Sequence, residues 1–212
     1  YKMPVASAQV KSAILFASLG ANGDTKIIEK SISRDHTERM FEYFGASITY
    51  SEKETTLRET DTFTSQNIKI PGDFSSSAFF IVAALISKNS DITLKDVGMN
   101  PSRIALLNKL IEMGGDIQVF NHSSFGKEPV ADINVKSSSL NSCEVSSDDV
   151  PNIIDELPIL FIASCFADGI SSFNEIEELK HKESDRLKAM QNGLDKMKIK
   201  NFFDGNVFCI EG

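Results

Sequence analysis

The sequence predicts an α/β protein built from repeated units of helix and strand. Two kinds of helical segment, one apolar and one amphipathic, alternate along the chain, and short strand-like segments separate them. The order of these segments recurs at a spacing of roughly 70 residues, which is too long for a solenoid repeat. With 212 residues, 41% of them hydrophobic, the composition is that of a folded globular chain.

The first kind of helix is apolar on nearly all sides. Such a helix is expected to be buried on every side, among neighbouring elements of the fold. The predicted segments of this kind are 10–19, 78–86 and 157–167.

The second kind of helix is amphipathic. Its apolar residues recur at i, i+3, i+4 and i+7, and Leu107, Leu110 and Ile111 show the first three of these positions. The predicted segments of this kind are 34–44, 102–113 and 185–197.

Strand-like segments complete each unit. The predicted strands are 25–32, 92–97 and 170–176 after the apolar helices, 47–50, 116–120 and 200–203 after the amphipathic helices, and 67–70, 131–135 and 206–210 at the ends of the units. The recurring order is apolar helix, strand, amphipathic helix, strand, strand. This order predicts βαβαββ-type units that hide their apolar helices among one another.

The boundary between the first two units is Pro71-Gly72-Asp73. Proline restricts the backbone, glycine frees it, and Asp73 can cap the helix that follows. The local sequence leaves two interpretations open, an ordinary turn and a hinge between domains.

Charge and cysteine content exclude several classes of function. The 22 basic and 30 acidic residues give a net charge of −8, which argues against a general nucleic-acid or anionic-membrane surface. The apolar runs are much shorter than the ~20 residues that span a bilayer. Three widely spaced cysteines predict no disulfide framework and no zinc site, as in a cytoplasmic protein.

Polar clusters lie at the starts of four predicted helices, in segments 7–11, 33–38, 155–156 and 180–186. Helix N-termini attract anions, and the clusters add lysine, arginine and paired carboxylates that suit anion binding and proton transfer. The same residues also suit helix caps and solvated charges. If the repeats pack around shared axes, the helix starts converge on one cleft for an anionic substrate.

Five stretches in this order resemble the 5-enolpyruvylshikimate-3-phosphate synthase family. They are Ser7-Ala-Gln-Val-Lys-Ser-Ala-Ile-Leu15, Ser33-Arg-Asp-His-Thr-Glu38, Pro71-Gly-Asp-Phe-Ser-Ser76, Asp155-Glu-Leu-Pro158 and Lys180-His-Lys-Glu-Ser-Asp-Arg-Leu-Lys-Ala-Met190. The resemblance implies enolpyruvyl transferase-like, inside-out barrel lobes with buried parallel helices. It makes residues 1–71 the C-terminal part of an N-terminal lobe and 72–212 most of a C-terminal lobe, and it favours the hinge.

The resemblance also implies a reaction. The enolpyruvyl group of phosphoenolpyruvate moves to the 5-hydroxyl of shikimate 3-phosphate, and phosphate leaves, a step of aromatic amino-acid biosynthesis. No metal or organic cofactor is expected. The implied partners are these two small molecules, without nucleic acid or membrane, in a complete enzyme that is monomeric and cytoplasmic.

Site residues follow from the matching motif positions. Ser7, Ala8 (through its backbone) and Gln9 match contacts to shikimate 3-phosphate, as do Ser33, Arg34 and Lys182. Asp155 matches the acid beside the substrate hydroxyl, and Glu183 matches the acid that transfers a proton at the phosphoenolpyruvate methylene. Arg186 matches a contact to the phosphoenolpyruvate anion, whereas His181 is expected to have no catalytic role.

Two alternatives stay open. One is the related enolpyruvyl transferase that acts on UDP-N-acetylglucosamine, against which the Lys182-Glu-Ser-Asp-Arg186 motif argues. The other is a folded, non-catalytic fragment with residual ligand binding. Further family motifs are expected before Tyr1 and after Gly212, so the chain alone is expected to be inactive.

Overall fold

The computed structural model describes residues 1–59, 63–181 and 184–212. The helices are α1 (Ala8–Ser18), α2 (His36–Tyr43), α3 (Phe74–Ile86), α4 (Ala105–Glu112), α5 (Val150–Ile153), α6 (Leu157–Ser164) and α7 (Arg186–Lys196), with a 3-10 helix at Glu177–His181. The strands are β1 (Thr25–Ile28), β2 (Ile48–Tyr50), β3 (Glu54–Leu57), β4 (Asp91–Gly98), β5 (Asp116–Phe125), β6 (Glu128–Lys136), β7 (Leu140–Asn141), β8 (Glu144–Val145), β9 (Ala167–Asp168), β10 (Ile170–Phe173), β11 (Asn201–Asp204) and β12 (Val207–Glu211).

The chain divides into two compact units. The first contains Tyr1–Pro71 and Ser123–Val130, and the second contains Gly72–His122 and Ala131–Gly212. The segment Ser123–Val130 therefore packs with the first unit, although the sequence grouped it with 72–212. The assignment of the two units to lobes of a longer protein stays a prediction.

The first unit contains a three-stranded antiparallel sheet in the order β1-β3-β2. The prediction of a strand at 67–70 is wrong, because these residues are exposed and lie outside any strand. The third strand is instead β3, in which Thr55 and Leu57 are buried and alternate with more exposed residues. A short turn after β2 brings β3 back into the sheet, so strand pairing and one buried face decide its position.

The predicted repeat is confirmed, because the strand order recurs in the three larger sheets of the described residues; the fourth is the two-stranded pair β7-β9. The second sheet has the order β4-β6-β5, and the third contains β10-β12-β11 with β8 added at the edge of β10. In each repeat, the last of the three strands lies between the other two strands. The order apolar helix, strand, amphipathic helix, strand, strand thus folds the same way each time.

The core of the second unit lies around α3 and α6, which pack against each other. Phe161 of α6 makes edge contacts with Phe173 of β10 and Phe208 of β12, with ring centroids 4.7 and 5.2 Å apart. All three rings are fully buried. These contacts join the third sheet to its apolar helix.

Burial on every side is wrong for two of the three apolar helices. In α3, Phe79 and Phe80 are about 60% exposed (59% and 61%), and in α1 Val10 and Phe16 are also exposed. Within the described chain these helices are covered on one face only. Strong apolarity therefore predicted the helices correctly but overestimated their burial here.

Sequence patterns left several boundaries and short elements undetected. The hairpin β5–β6 is longer than the predicted strands and turns at Gly126, whose φ of +63° suits glycine.

No helix among the described residues is long and apolar enough to cross a membrane. Cys143, Cys165 and Cys209 are free thiols, and burial raises the pKa of each.

Candidate active site

The start of α1 presents the first group of predicted site residues. Ser7 is the N-cap, and its Oγ accepts a hydrogen bond from the Val10 backbone N–H at 3.3 Å. Because the oxygen is the acceptor, the hydroxyl hydrogen can still donate to an anion. Ala8 is half-buried, and Gln9 is exposed beside it. The capping interpretation and the anion-binding interpretation of Ser7 are therefore compatible.

Lys11, one turn further along α1, points into the first unit. Its Nζ lies 2.9 Å from Glu29 Oε2 and 2.7 Å from Glu38 Oε1, and all three side chains are at most 3% exposed. Burial acts to lower the pKa of Lys11, but the hydrogen bonds and charges of Glu38 and Glu29 outweigh it and raise the pKa above 10.5. Lys11 is therefore paired with two buried carboxylates and does not serve as a surface anion contact.

Ser33 and Arg34 lie in the loop before α2, which begins at His36, two residues later than predicted. The Ser33 hydroxyl donates to Glu29 Oε1 at 2.5 Å. Both Ser33 and Arg34 are half-buried. Glu29 thereby connects the Ser33 segment to Lys11 and to the helix that carries Ser7.

Asp155 and Arg186 form the second group, in the second unit. Asp155 lies between α5 and α6, and Arg186 is the first residue of α7. Arg186 Nη1 is 3.7 Å from Asp155 Oδ1, and each side chain is about one-third exposed (30% and 31%). The structure thus brings a carboxylate and a guanidinium together at adjoining helix starts.

Asp185, the residue before Arg186, is the N-cap of α7, which agrees with the helix-cap interpretation of segment 180–186. Asp185 Oδ1 accepts from the Lys188 backbone N–H at 2.9 Å. Lys182 and Glu183 lie outside the described residues, so their predicted roles stay predictions. His181 is exposed at the end of the 3-10 helix.

A buried acid lies beside Asp155, in the predicted polar cluster 155–156, and was assigned no role in the site. Glu156 is 6% exposed and accepts a hydrogen bond from the Ser75 hydroxyl. Arg103 Nη2 donates to Ser75 Oγ at 2.5 Å and to Asp73 Oδ1 at 3.2 Å. These bonds join the starts of α3 and α6 next to Asp155.

The pKa of Asp73 is lowered at this junction. Partial burial acts to raise it, but the hydrogen bonds from the Ser76 backbone and side chain, together with the Arg103 charge, outweigh the burial. Asp73 is also the N-cap of α3, accepting from the Ser76 backbone N–H at 2.8 Å. The sequence-based prediction that Asp73 caps this helix is confirmed.

Lys11 is a lone lysine in a strongly apolar helix, a pattern that favours a buried ion pair over a surface anion contact. A buried ammonium needs carboxylate partners, so Lys11 implied buried acids elsewhere in the first unit. Their identity, Glu29 and Glu38, needed the fold. Glu156 gave a weaker signal, because an acid beside another acid at a helix start is also ordinary on a surface.

Neither a metal-ligand cluster nor a second pocket extends the site among the described residues. They contain no group of three or more His, Cys, Asp or Glu side chains arranged to hold a metal ion. An open cavity of about 360 Å³ beside α7 is lined by Lys180, Asp185 and Lys188, among others, and neither Asp155 nor Arg186 is among its described lining residues. Its basic and acidic side chains balance, so we assign it no role.

The fold is that of the enolpyruvyl transferases. The crystal structure of the enolpyruvyl transferase NikO from Streptomyces tendae matches with a TM-score of 0.68 over 97% of this chain and 46% of that chain. At 14% identity this likeness shows the fold alone.

Closer similarity defines the family. The sequence model of the EPSP synthase (3-phosphoshikimate 1-carboxyvinyltransferase) family matches residues 1–210 of this chain. The chain belongs to that family. An EPSP synthase structure from Acinetobacter baumannii matches with a TM-score of 0.93 and 42% identity, covering 100% of this chain and 48% of that chain.

Curated relatives agree with this assignment. The 3-phosphoshikimate 1-carboxyvinyltransferase of Petrotoga mobilis is 49% identical over 200 residues, which are 94% of this chain and 46% of the relative. That of Magnetococcus marinus is 48% identical over 194 residues, 92% of this chain and 44% of the relative. The chain therefore spans about half the length of the curated relatives it matches.

Proposed function

We propose that the protein to which this chain contributes transfers the enolpyruvyl group of phosphoenolpyruvate to the 5-hydroxyl of shikimate 3-phosphate. The observation that carries the proposal is the Asp155–Arg186 pair, a carboxylate 3.7 Å from a guanidinium at two adjoining helix starts. Membership of the EPSP synthase family over residues 1–210 supports it.

The proposed reaction is an addition followed by an elimination. The 5-hydroxyl oxygen adds to C2 of phosphoenolpyruvate while the C3 methylene gains a proton, which gives a tetrahedral intermediate. Loss of phosphate from C2 and of a proton from the new methyl group restores the alkene. The steps need a base near the hydroxyl, a group that exchanges a proton at C3, and cations for the phosphates and the carboxylate.

The residues divide among these tasks. Asp155 takes the hydroxyl proton, and Glu183 gives and removes the proton at C3. Arg186 binds an anionic group of phosphoenolpyruvate, for which a guanidinium offers two parallel donors. With these roles we assign the chemistry to residues of the segment Ala131–Gly212.

Shikimate 3-phosphate is held by the remaining predicted residues. The Ser7 hydroxyl, the Ala8 backbone and the Gln9 amide lie at the start of α1, where the helix dipole favours a phosphate. Ser33, Arg34 and Lys182 complete this set. The complete enzyme is proposed to be monomeric and cytoplasmic, acting without a metal or organic cofactor in aromatic amino-acid biosynthesis.

A phosphate-release assay tests the proposal on the full-length protein that contains this chain. We expect release to require both phosphoenolpyruvate and shikimate 3-phosphate. Release with UDP-N-acetylglucosamine in place of shikimate 3-phosphate would instead establish the related transferase. No release with either acceptor would refute enolpyruvyl transfer.

A further inference from the structure

We propose that Lys11, Glu29 and Glu38 form a positioning device that holds the two candidate phosphate-binding segments, 7–9 and 33–34, in a fixed arrangement. We call these three side chains the ion triad. The inference rests on the proposed function, because it concerns how shikimate 3-phosphate is bound. The ion triad itself is buried and acts through the residues that touch the substrate.

The ion triad joins three elements of the first unit. The Lys11 backbone N–H donates to the Ser7 carbonyl at 3.0 Å, so Lys11 is one helical turn from the capping serine. Its ammonium reaches Glu29, just after β1, and Glu38, in the first turn of α2. One cation therefore fixes the start of α1 relative to both ends of the segment that contains Ser33.

Glu29 contacts Lys11 and Ser33 at the same time, and so restricts the position of Ser33. Its Oε2 receives Lys11 at 2.9 Å, and its Oε1 receives the Ser33 hydroxyl at 2.5 Å. Both carboxylate oxygens are in use. A glutamine at this position has one acceptor oxygen, so it can hold Lys11 and Ser33 together only if its amide donates to the Ser33 oxygen. That arrangement reverses the Glu29–Ser33 hydrogen bond and removes its charge.

Glu38 is used differently. Its Oε1 receives both Lys11 at 2.7 Å and the Thr55 hydroxyl at 3.3 Å. Its Oε2 is buried and has no hydrogen-bond partner among the described residues. A side chain with one acceptor oxygen would keep both of these contacts, which makes Glu38 a matched control for Glu29.

The charges of the ion triad do not balance. Two buried carboxylates share one ammonium, and buried ionic groups are often no more stabilising than a well-packed apolar core. Stability alone is thus a poor reason for this arrangement. Fixed geometry next to two phosphate-binding segments is a better one.

The test compares Glu29→Gln with Glu38→Gln in the full-length protein that contains this chain. The two substitutions make the same chemical change at two buried sites, and each leaves Lys11 one carboxylate. We expect Glu29→Gln to raise KM for shikimate 3-phosphate about tenfold, the cost of one lost hydrogen bond to a charged group. We expect a smaller change for Glu38→Gln, and an unchanged KM for phosphoenolpyruvate in both variants.

A double-mutant cycle establishes whether Glu29 acts through Ser33. Ser33→Ala and Glu29→Gln should each raise KM for shikimate 3-phosphate, and the double variant should raise it no further. Glu29→Asp provides a second variant that keeps the charge but shortens the side chain, and it should also raise this KM. Lys26→Met, which breaks the exposed Lys26–Glu54 pair, should leave KM as in the wild type.

Two outcomes overturn the inference while the proposed function stands. One is an equal rise of KM in the Glu29→Gln and Glu38→Gln variants. The other is a lower unfolding temperature with wild-type KM, which would make the ion triad structural only. Failure of the proposed function is distinguished because the wild-type protein would then release no phosphate at all.

Discussion

At the scale of single residues, Asp155 and Arg186 form a loose pair. Their 3.7 Å separation is longer than a hydrogen bond, so the contact is electrostatic. Both side chains are about one-third exposed. This combination suits a base and an anion contact that meet the substrates at the same place.

Replacement of Asp155 by Asn should abolish most of the turnover. Removing a general base typically costs about 10²- to 10⁴-fold in rate. We expect kcat of the full-length protein to fall by at least about 100-fold, with the unfolding temperature nearly unchanged because the side chain is partly exposed. Asp168→Asn, at an exposed aspartate of β9, is the matched control. A variant with near-normal kcat would remove Asp155 from the mechanism.

Replacement of Arg186 by Lys should weaken phosphoenolpyruvate binding. Lysine keeps the charge but loses the planar pair of donors that matches a carboxylate or phosphate. We expect a rise in KM for phosphoenolpyruvate of about tenfold or more, with a smaller effect on KM for shikimate 3-phosphate. Steady-state kinetics with each substrate varied in turn measures both constants. An equal effect on both would contradict the assignment.

At the scale of elements, side chains cap the starts of α1, α3 and α7, one helix in each repeat. The caps are Ser7, Asp73 and Asp185, and each accepts a hydrogen bond from a backbone N–H of the first turn. Two of them, Ser7 and Asp185, lie in or beside candidate site segments. Helix stability and site geometry therefore depend on the same few residues.

Asp73→Ala should destabilise the chain by about 1 kcal/mol, since α3 loses its cap. The pKa of Asp73 is lowered below 3.8, so its ionised form is favoured in the folded state. This contribution is present above the unfolded-state pKa and is lost as the pH falls through the folded-state value. Urea unfolding at pH 7 and at pH 3 or below checks the prediction, and a difference from wild type that does not shrink at acidic pH would contradict it.

Phe161→Ala should be much more damaging, because Phe161 is a fully buried ring between α6 and the third sheet. Loss of a buried phenylalanine costs about 3–5 kcal/mol in the free energy of unfolding. Phe166→Ala provides the control, since Phe166 is 59% exposed and should cost within about 0.5 kcal/mol. Urea unfolding of both variants measures the difference, and similar losses would contradict the described packing.

At the scale of the whole molecule, three repeats share one strand order but are divided between two units. The candidate residues are divided in the same way, with Ser7, Gln9 and Ser33 in the first unit and Asp155 and Arg186 in the second. The chain is also about half as long as the relatives it matches. Activity is thus expected of the longer protein.

We expect the 212-residue chain alone to release no phosphate from phosphoenolpyruvate and shikimate 3-phosphate. Cations that bind the substrates are expected in family segments outside it. Phosphate release by this chain and by the full-length protein, measured side by side, tests the expectation. Thermal unfolding with shikimate 3-phosphate shows whether ligand binding survives, with Gln9→Ala as the variant that should lose any shift. Full activity of the short chain would refute the prediction.

Apolar runs predicted α1, α3 and α6. Periodicity predicted α2, α4 and α7 and most of the strands, because it records which faces a segment buries. It failed at 67–70, where a strand-like pattern found no pairing partner, and it missed β3. Strand formation depends on a partner distant in sequence, which a local pattern does not contain.

The amino-acid sequence by itself determined the repeated α/β order, the helix caps and the family motifs, since each of these depends on residues close together in the chain. The tertiary structure decided which charged side chains are buried in ion pairs and which are partly exposed at helix starts. Lys11 resembles an anion contact in the sequence, yet it is buried between Glu29 and Glu38, whereas Arg186 lies beside Asp155 at a half-exposed helix start. The physical reason is that the environment of a charge is set by groups that only folding brings near it.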